Sequence, residues 1–391
     1  MNRLFKKTKK SFLKAAVACL ALALAALFSF AGCASGQKAA LTIEYEGGTK
    51  TISSDIYGYY LSYIKTRLLF NYYYDMYSAY GASMPEDVST LTDIPELWSE
   101  IYVAPYTYGA IVKRQAESAL KQTLAVYAYC EENGLELSKG ELDRIDSAVE
   151  DMVAAYYQDS KSRLNSKLKN FGINEKTYKE IKKYEAMEGL FEADLFDPDS
   201  GKQKITDAMI NQLYGALCSR VKHILILFSP GTYDKDGAPE SYSAEELAER
   251  EAKVEDIYDR IAAGEDFDSF LSESEDPGTF AYPDGYTIGE DTGFMAEFVE
   301  AAFDMEIGEV RKVMTSYGMH IMKRFDLLPA SESLDLDSGQ TWKNLVGSQL
   351  QSYLIDNALS AYMEKVETNT DETKTFNVAK LPIMFDCLEL W

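Results

Sequence analysis

The chain has 391 residues, with 63 Asp and Glu against 39 Lys and Arg, only two histidines, and a formal charge of −24. So large an acidic excess argues against nucleic acid as a partner, because binding it takes a basic surface that displaces counterions. The length allows two sizeable cores, and the acidity suits a protein that must stay soluble beside a surface.

The first 32 residues read as a leader rather than as part of the fold. A basic start, MNRLFKKTKKSFLK, runs into apolar AAVACLALALAALFSF and then into small residues, FAGCASG. This is the order of a secretory signal, and the apolar run is short for a membrane span of about 20 residues. Phe30-Ala31-Gly32-Cys33 resembles a bacterial lipobox with Phe in place of the usual Leu. That resemblance implies cleavage before Cys33, a lipid on Cys33 that tethers the chain to a membrane, and an extracytoplasmic location. The alternatives are an uncleaved anchor or an ordinary signal peptide. Taking the six Lys and Arg of the leader from the 39 leaves 33 against 63 acidic side chains, a formal charge of −30. Cys130, Cys218 and Cys387 are widely spaced and odd in number, so neither a disulfide framework nor a metal site is expected, and no cofactor is implied.

After a tether over 33–40, LTIEYEGGTKTIS reads as a hairpin around Gly47-Gly48. A helix is predicted from Asp55 to about Tyr80, and it holds nine of the 28 tyrosines. Those rings are either plain core or the lining of a cleft that grips apolar segments. Further helices are predicted over 106–133, with Pro105 at its start, then 138–170, 175–197 and 205–217. Ser138 and Glu141 form a capping box, as do Ser243 and Glu246 later.

From Val221 the pattern changes. VKHILILF reads as a strand, 229–242 as a polar loop, 243–264 as a helix and FDSFL as a short second helix. SEDPGTFAYPDGYTIG reads as a loop, FMAEFVEAAFDM as a helix, and EIGEVRKVMTSYG and MHIMKRFDLL as strands. Together they describe a compact α+β module over 219–329. A final amphipathic helix runs from Trp342 to Tyr362, and KTFNVAKLPIMF reads as a further strand. The last 60 or so residues are too few for a core of their own. They are expected to dock on 41–218, so that the module lies between two halves of one mostly helical domain.

His223 sits inside the apolar run RVKHILILF, and His320 inside TSYGMHIMKRF at the other end of the module. Each imidazole must find partners or cost stability when buried. On neighbouring strands they satisfy one another, one ring donating and one accepting. A single strand histidine is more often structural; a pair bracketing one module points to a site.

KHILILF, AAGEDFDSFLSESEDPGT, FVEAAFDMEIGEV and TSYGMHIMKRF together resemble the parvulin family of peptidyl-prolyl isomerases. With the lipobox, the helical flanks and FGINEKTYKEIKKY, the chain is similar to foldase lipoproteins of Gram-positive bacteria and, more distantly, to periplasmic chaperones. The resemblance implies His223, Asp276, His320 and Thr315 as the polar catalytic group. It implies Ile288, Phe294, Phe298, Met314 and Tyr317 around the substrate proline. The family usually carries a Gly-Gly-x-Leu-Gly loop; this chain has Gly285-Tyr286-Thr287-Ile288-Gly289. The implied substrates are unfolded or partly folded exported polypeptides. The loop 229–242 has one Lys and several acids, so no dependence on substrate phosphorylation is expected. A holdase chaperone with a vestigial isomerase module is the alternative function, and an adhesin or solute-binding lipoprotein a remoter one.

Overall fold

A computed structural model describes residues 38–232, 241–289, 293–331 and 340–390. The leader, Cys33 and most of the 229–242 loop lie outside them. By its contacts the chain divides into two compact units, one built from residues up to Lys204 together with Ile355–Trp391, the other from Ile205–Leu354. The protein is α+β, with the smaller unit interrupting the sequence of a mostly helical one.

In the first unit, β1 (Ala39–Tyr45) and β2 (Gly48–Ser53) form the expected hairpin, and Val366–Thr368 adds to the other edge of β1. The helix Ser54–Ala79 buries Ile56, Tyr57, Tyr59, Leu61, Ile64, Leu68 and Leu69. Its tyrosines therefore divide: the first turns are core, while Tyr74 and the following Tyr80 are exposed. The C-terminal segment threads through the same core. Tyr59 Oη donates to Leu390 O at 2.5 Å, and Met384 N to Thr66 Oγ1 at 3.0 Å. Lys65 is fully buried, donating to Asp93 and to Leu381 O at 2.6 Å each, with its ammonium 5.1 Å from the Trp98 ring centre. Lys65→Ala leaves the Leu381 carbonyl without its donor and Asp93 with only Trp98 Nε1, and should destabilise this unit by about 3 kcal/mol, read from urea unfolding.

Several sequence expectations need correction. The segment 138–170 is two helices, Lys139–Tyr157 and Lys161–Lys169, because Gln158 and Asp159 both take left-handed backbone, φ 53° and 54°. Ser160 then caps the second through Arg163 N. Pro105 does not open a helix. It lies in the turn between β3 (Ile101–Val103) and β4 (Tyr106–Thr107), and Thr107 caps the helix Tyr108–Glu132 instead. KTFNVAKLPIMF forms no strand: it carries a 3-10 turn at Val378–Lys380, and the added strand is the preceding Val366–Thr368.

The second unit centres on β5 (Ser219–Leu227), β6 (Tyr286–Ile288), β7 (Val310–Met314) and β8 (Gly318–Phe325), in the order β6-β5-β8-β7 with every pair antiparallel. β5 and β8 are central and covered on both faces, which explains the nearly continuous apolar run. On one face Ile224, Ile226 and Ile321 pack with Val254, Ile257 and Ile261 of the helix Ala244–Ala262 and with Phe267 and Phe270 of a 3-10 segment. On the other, Val221, Met322, Val313 and Ile288 pack with Phe298, Ala301 and Ala302 of the helix Ala296–Asp304. The stretch expected as a loop after Glu273 holds a short helix, Gly278–Ala281, as well as β6. A third cluster joins Ile210 and Tyr214 of the helix Asp207–Leu217 to Trp342 and Val346 of the helix Trp342–Met363.

Candidate active site

Register brings the histidines together. His223 lies opposite Met322 and Leu225 opposite His320, so the two imidazoles are diagonal neighbours on one face of the β5/β8 pair. Their Nδ1 atoms are 2.8 Å apart and the rings lie nearly in one plane, tilted by 18° with centres at 5.0 Å. His223 Nε2 is 2.9 Å from Asp276 Oδ2, and His320 Nε2 is 2.9 Å from Thr315 Oγ1. Both histidines are only 5% exposed, so the network forms a floor that opens at the less buried Asp276.

The carboxylate is held in place by the strand it faces. β6 pairs only with the start of β5, and beyond it the Ser274–Asp276 segment takes over the free edge. Leu225 N donates to Ser274 Oγ at 3.1 Å, Glu275 N to Leu225 O at 2.8 Å, and Leu227 N to Glu275 Oε2 at 2.7 Å. Arg250 fixes Glu275 at 2.8 Å. Asp276 Oδ1 then accepts from Gly278 N at 3.0 Å, and Oδ2 from Tyr286 Oη at 2.6 Å.

Burial works to raise the Asp276 pKa, but the hydrogen bonds from His223, Tyr286 and Gly278 outweigh it and hold the carboxyl well below the usual range. Asp276 is therefore an anion at neutral pH and accepts only. Burial, reinforced by His223, holds His320 down at about 3. Burial and the adjacent carboxylate push the Tyr286 phenol up, so it remains a donor. Because Asp276 only accepts, His223 carries a hydrogen on Nε2; when both rings are neutral, His320 then donates from Nδ1 to His223 and the Thr315 hydroxyl donates to His320.

The apolar candidates separate by depth. Phe298 is 2% exposed and meets both imidazoles edge-on, with ring centres at 5.0 and 5.1 Å. Phe294 stacks on Phe298 at 5.3 Å and is only partly buried. Met314 and Tyr317 stand at the surface, 49% and 54% exposed, on either side of buried Thr315. Ile288 has no exposed surface and shares a cluster with Phe298, against which Phe294 packs. Phe298→Ala should cost about 3 to 5 kcal/mol, since it empties the contact between histidines and core; the midpoint of denaturation reads this. Among the described residues, no group of three or more His, Cys, Asp or Glu is placed to hold a metal.

Tyr286, in a stretch that reads from sequence as a loop, also belongs to the site. The usable signal was its two-residue step to Ile288: in a short strand these share a face, and Tyr286 lies opposite Val221, on the His223 side of β5.

The order β5, helix, helix, β6, helix, β7, β8, with a buried histidine on each central strand, is that of a prolyl-isomerase module of the parvulin type. The PPIC-type PPIASE domain matches residues 209–327, and that segment is such a domain. Over 104 residues the chain is 36% identical to Foldase protein PrsA of Halalkalibacterium halodurans, covering 26% of this chain and 31% of that one. Over 80 residues it is 42% identical to the PrsA foldase of Caldanaerobacter subterraneus, covering 20% and 26%. The chain thus spans about a third or less of the length of these relatives. The crystal structure of PrsA from Bacillus cereus aligns at 19% identity over 72% of this chain and 93% of that one, with a TM-score of 0.29. Within that domain the chain is similar to the PrsA foldases.

Proposed function

We propose that this chain is an extracytoplasmic foldase whose second unit catalyses cis/trans isomerisation of X-Pro bonds in exported polypeptides. The closed hydrogen-bond network of His223, His320, Asp276 and Thr315, set under Phe294 and Phe298, is the observation that carries this reading.

Rotating an X-Pro bond forms no covalent intermediate; it removes amide resonance across a barrier of roughly 18 to 20 kcal/mol. The site need only bind the twisted amide better than either planar form. Phe294 and Phe298 would hold the proline ring in a dry setting, with Ile288 in the cluster behind them and Tyr317 at the mouth; Met314, opposite Met319 and half exposed, lies on the face of the sheet away from the histidines. Planar amides carry negative charge on the carbonyl oxygen. A fixed Asp276 anion beside that oxygen repels the planar form more than the twisted one. The histidines act by holding Asp276, not as nucleophiles.

In this reading 219–329 is the isomerase, while 41–218 and 330–391 hold the client. Residues 1–32 direct export, and a lipid on Cys33 keeps the protein at the membrane. None of the described helices is long and apolar enough to cross one. The full chain should accelerate isomerisation of a proline tetrapeptide; a rate equal to background in the folded protein would sink the enzymatic reading. Mass spectrometry of the N-terminal peptide tests the lipid.

A second reading, holding clients without isomerising them, is favoured by a groove of about 670 Å³ beside Ile145, Val149, Met152, Tyr156 and Tyr178. Exposed Tyr74, Tyr80 and Tyr102 add aromatic surface in the same unit. If a His223→Ala, Asp276→Ala double variant still suppresses client aggregation fully, holding is separate from the network.

A further inference from the structure

Tyr286 reaches Asp276 through a space that only one neighbour leaves open. A Cβ built on Gly278 would overlap the Tyr286 hydroxyl and lie 3.1 Å from the ring carbon that bears it. The ring itself is fixed by its surroundings. Phe294 meets it edge-on at 5.2 Å, Tyr282 lies at 5.2 Å, and the His223 ring at 5.5 Å. On the β5 side, Gly285 takes φ 86°, and a side chain there would strike Val221 O, so β6 can press its first residue against the histidine face.

The hydroxyl therefore meets Oδ2 with little freedom left to lose. That oxygen accepts from both Tyr286 Oη at 2.6 Å and His223 Nε2 at 2.9 Å. From Thr315 through His320 and His223 every donor points toward Asp276, and Tyr286 closes the line from the opposite side. Without it, one of the oxygen's two partners is gone and the carboxylate can turn, which frees His223 to exchange its ring proton between nitrogens.

We propose that Tyr286 is a positioning residue of the isomerase site: its hydroxyl, seated in the space left by Gly278, orients the Asp276 carboxylate and thereby sets the tautomers of both histidines. The kinetic part rests on the isomerase reading above; the tautomer part rests on the hydrogen-bond geometry around Asp276 and on Asp276 being an anion.

The full chain contains only two imidazoles, so a long-range proton–nitrogen NMR spectrum of it resolves both rings. In the parent protein His223 should carry its proton on Nε2 and His320 on Nδ1. Tyr286→Phe should move the His223 nitrogens toward a tautomer mixture and lower kcat on the order of tenfold, as expected for a lost hydrogen bond to a charged group, with KM nearly unchanged. Gly278→Ala should do the same by expelling the hydroxyl. Combining it with Tyr286→Phe should restore part of the lost stability, because the overlapping oxygen is gone.

Unchanged ring nitrogens in Tyr286→Phe would overturn the proposal, as would an additive loss of stability in the double variant. A tautomer shift with unchanged kcat would reduce Tyr286 to a packing role and overturn it as well. If the parent protein has no isomerase activity, the proposed function fails, while the ring spectra and the double variant still decide whether Tyr286 sets the network.

Discussion

Asp276→Ala should lower kcat/KM for a proline peptide by about a hundredfold while the fold persists, the size of effect seen when a preorganised electrostatic group is removed from a site. The carboxylate is the shared acceptor for His223 Nε2, Tyr286 Oη and Gly278 N, so its loss strands buried donors as well as removing charge. Stranded donors cost about 1 to 3 kcal/mol each, so some loss of stability is expected too. Asp276→Asn keeps an acceptor oxygen but not the charge and should fall between the two. Equal activity in Asp276→Asn and the parent would show that the anion is not required. Activity of Asp276→Ala within threefold of the parent would remove the residue from the mechanism.

The second large effect is a loss of stability in acid. His320 titrates near 3 in the folded protein against 6.5 when free, so below about pH 6.5 the unfolded chain takes up a proton that the folded chain refuses. Stability is then complete above that pH and falls by up to about 1.4 kcal/mol per unit as pH drops, with a ceiling of about 5 kcal/mol near pH 3. Asp276 acts with the same sign over a lower range: its depressed carboxyl contributes stability above the free value, which is lost as pH falls through the folded one. Urea unfolding of the full chain, followed at the amides of β5 and β8 between pH 4 and 7.5, measures the slope. His320→Gln should flatten it above about pH 4 and leave the carboxylate part below. An equal slope in both proteins would assign the acid sensitivity elsewhere.

The histidine pair was legible because polar residues inside apolar strands are conspicuous, and two of them bracketing one module limit the topology. The capping boxes at Ser138 and Ser243 formed as read, since a cap is a local device complete within four residues. The break at Gln158-Asp159 was hidden because neither residue is Gly or Pro, and left-handed backbone at such residues leaves little trace in composition. KTFNVAKLPIMF misled for the opposite reason. Its spaced apolar residues, Phe376, Val378, Leu381 and Ile383, pack on the core without joining a sheet among the described residues. Tyr286 shows the deeper limit. Its two-residue step to Ile288 places it on the histidine face, but its contact with Asp276 depends on an absent side chain at Gly278, which no residue pattern records.

The pairing of Thr42 with Glu367 sets an order of events for a chain that emerges from its N-terminus. β1 precedes the second unit, yet the strand that completes its sheet, Val366–Thr368, arrives only after the whole of that unit has passed. Loop closure itself is mild, since each doubling of the loop costs only about 0.6 kcal/mol. What the arrangement imposes is a wait. Until Val366–Thr368 arrives, Leu41 and Ile43 lie on a strand with one side unpaired, a template for joining other chains. A protein arranged in this way is, for part of its own biogenesis, the kind of aggregation-prone substrate that a foldase is built to rescue.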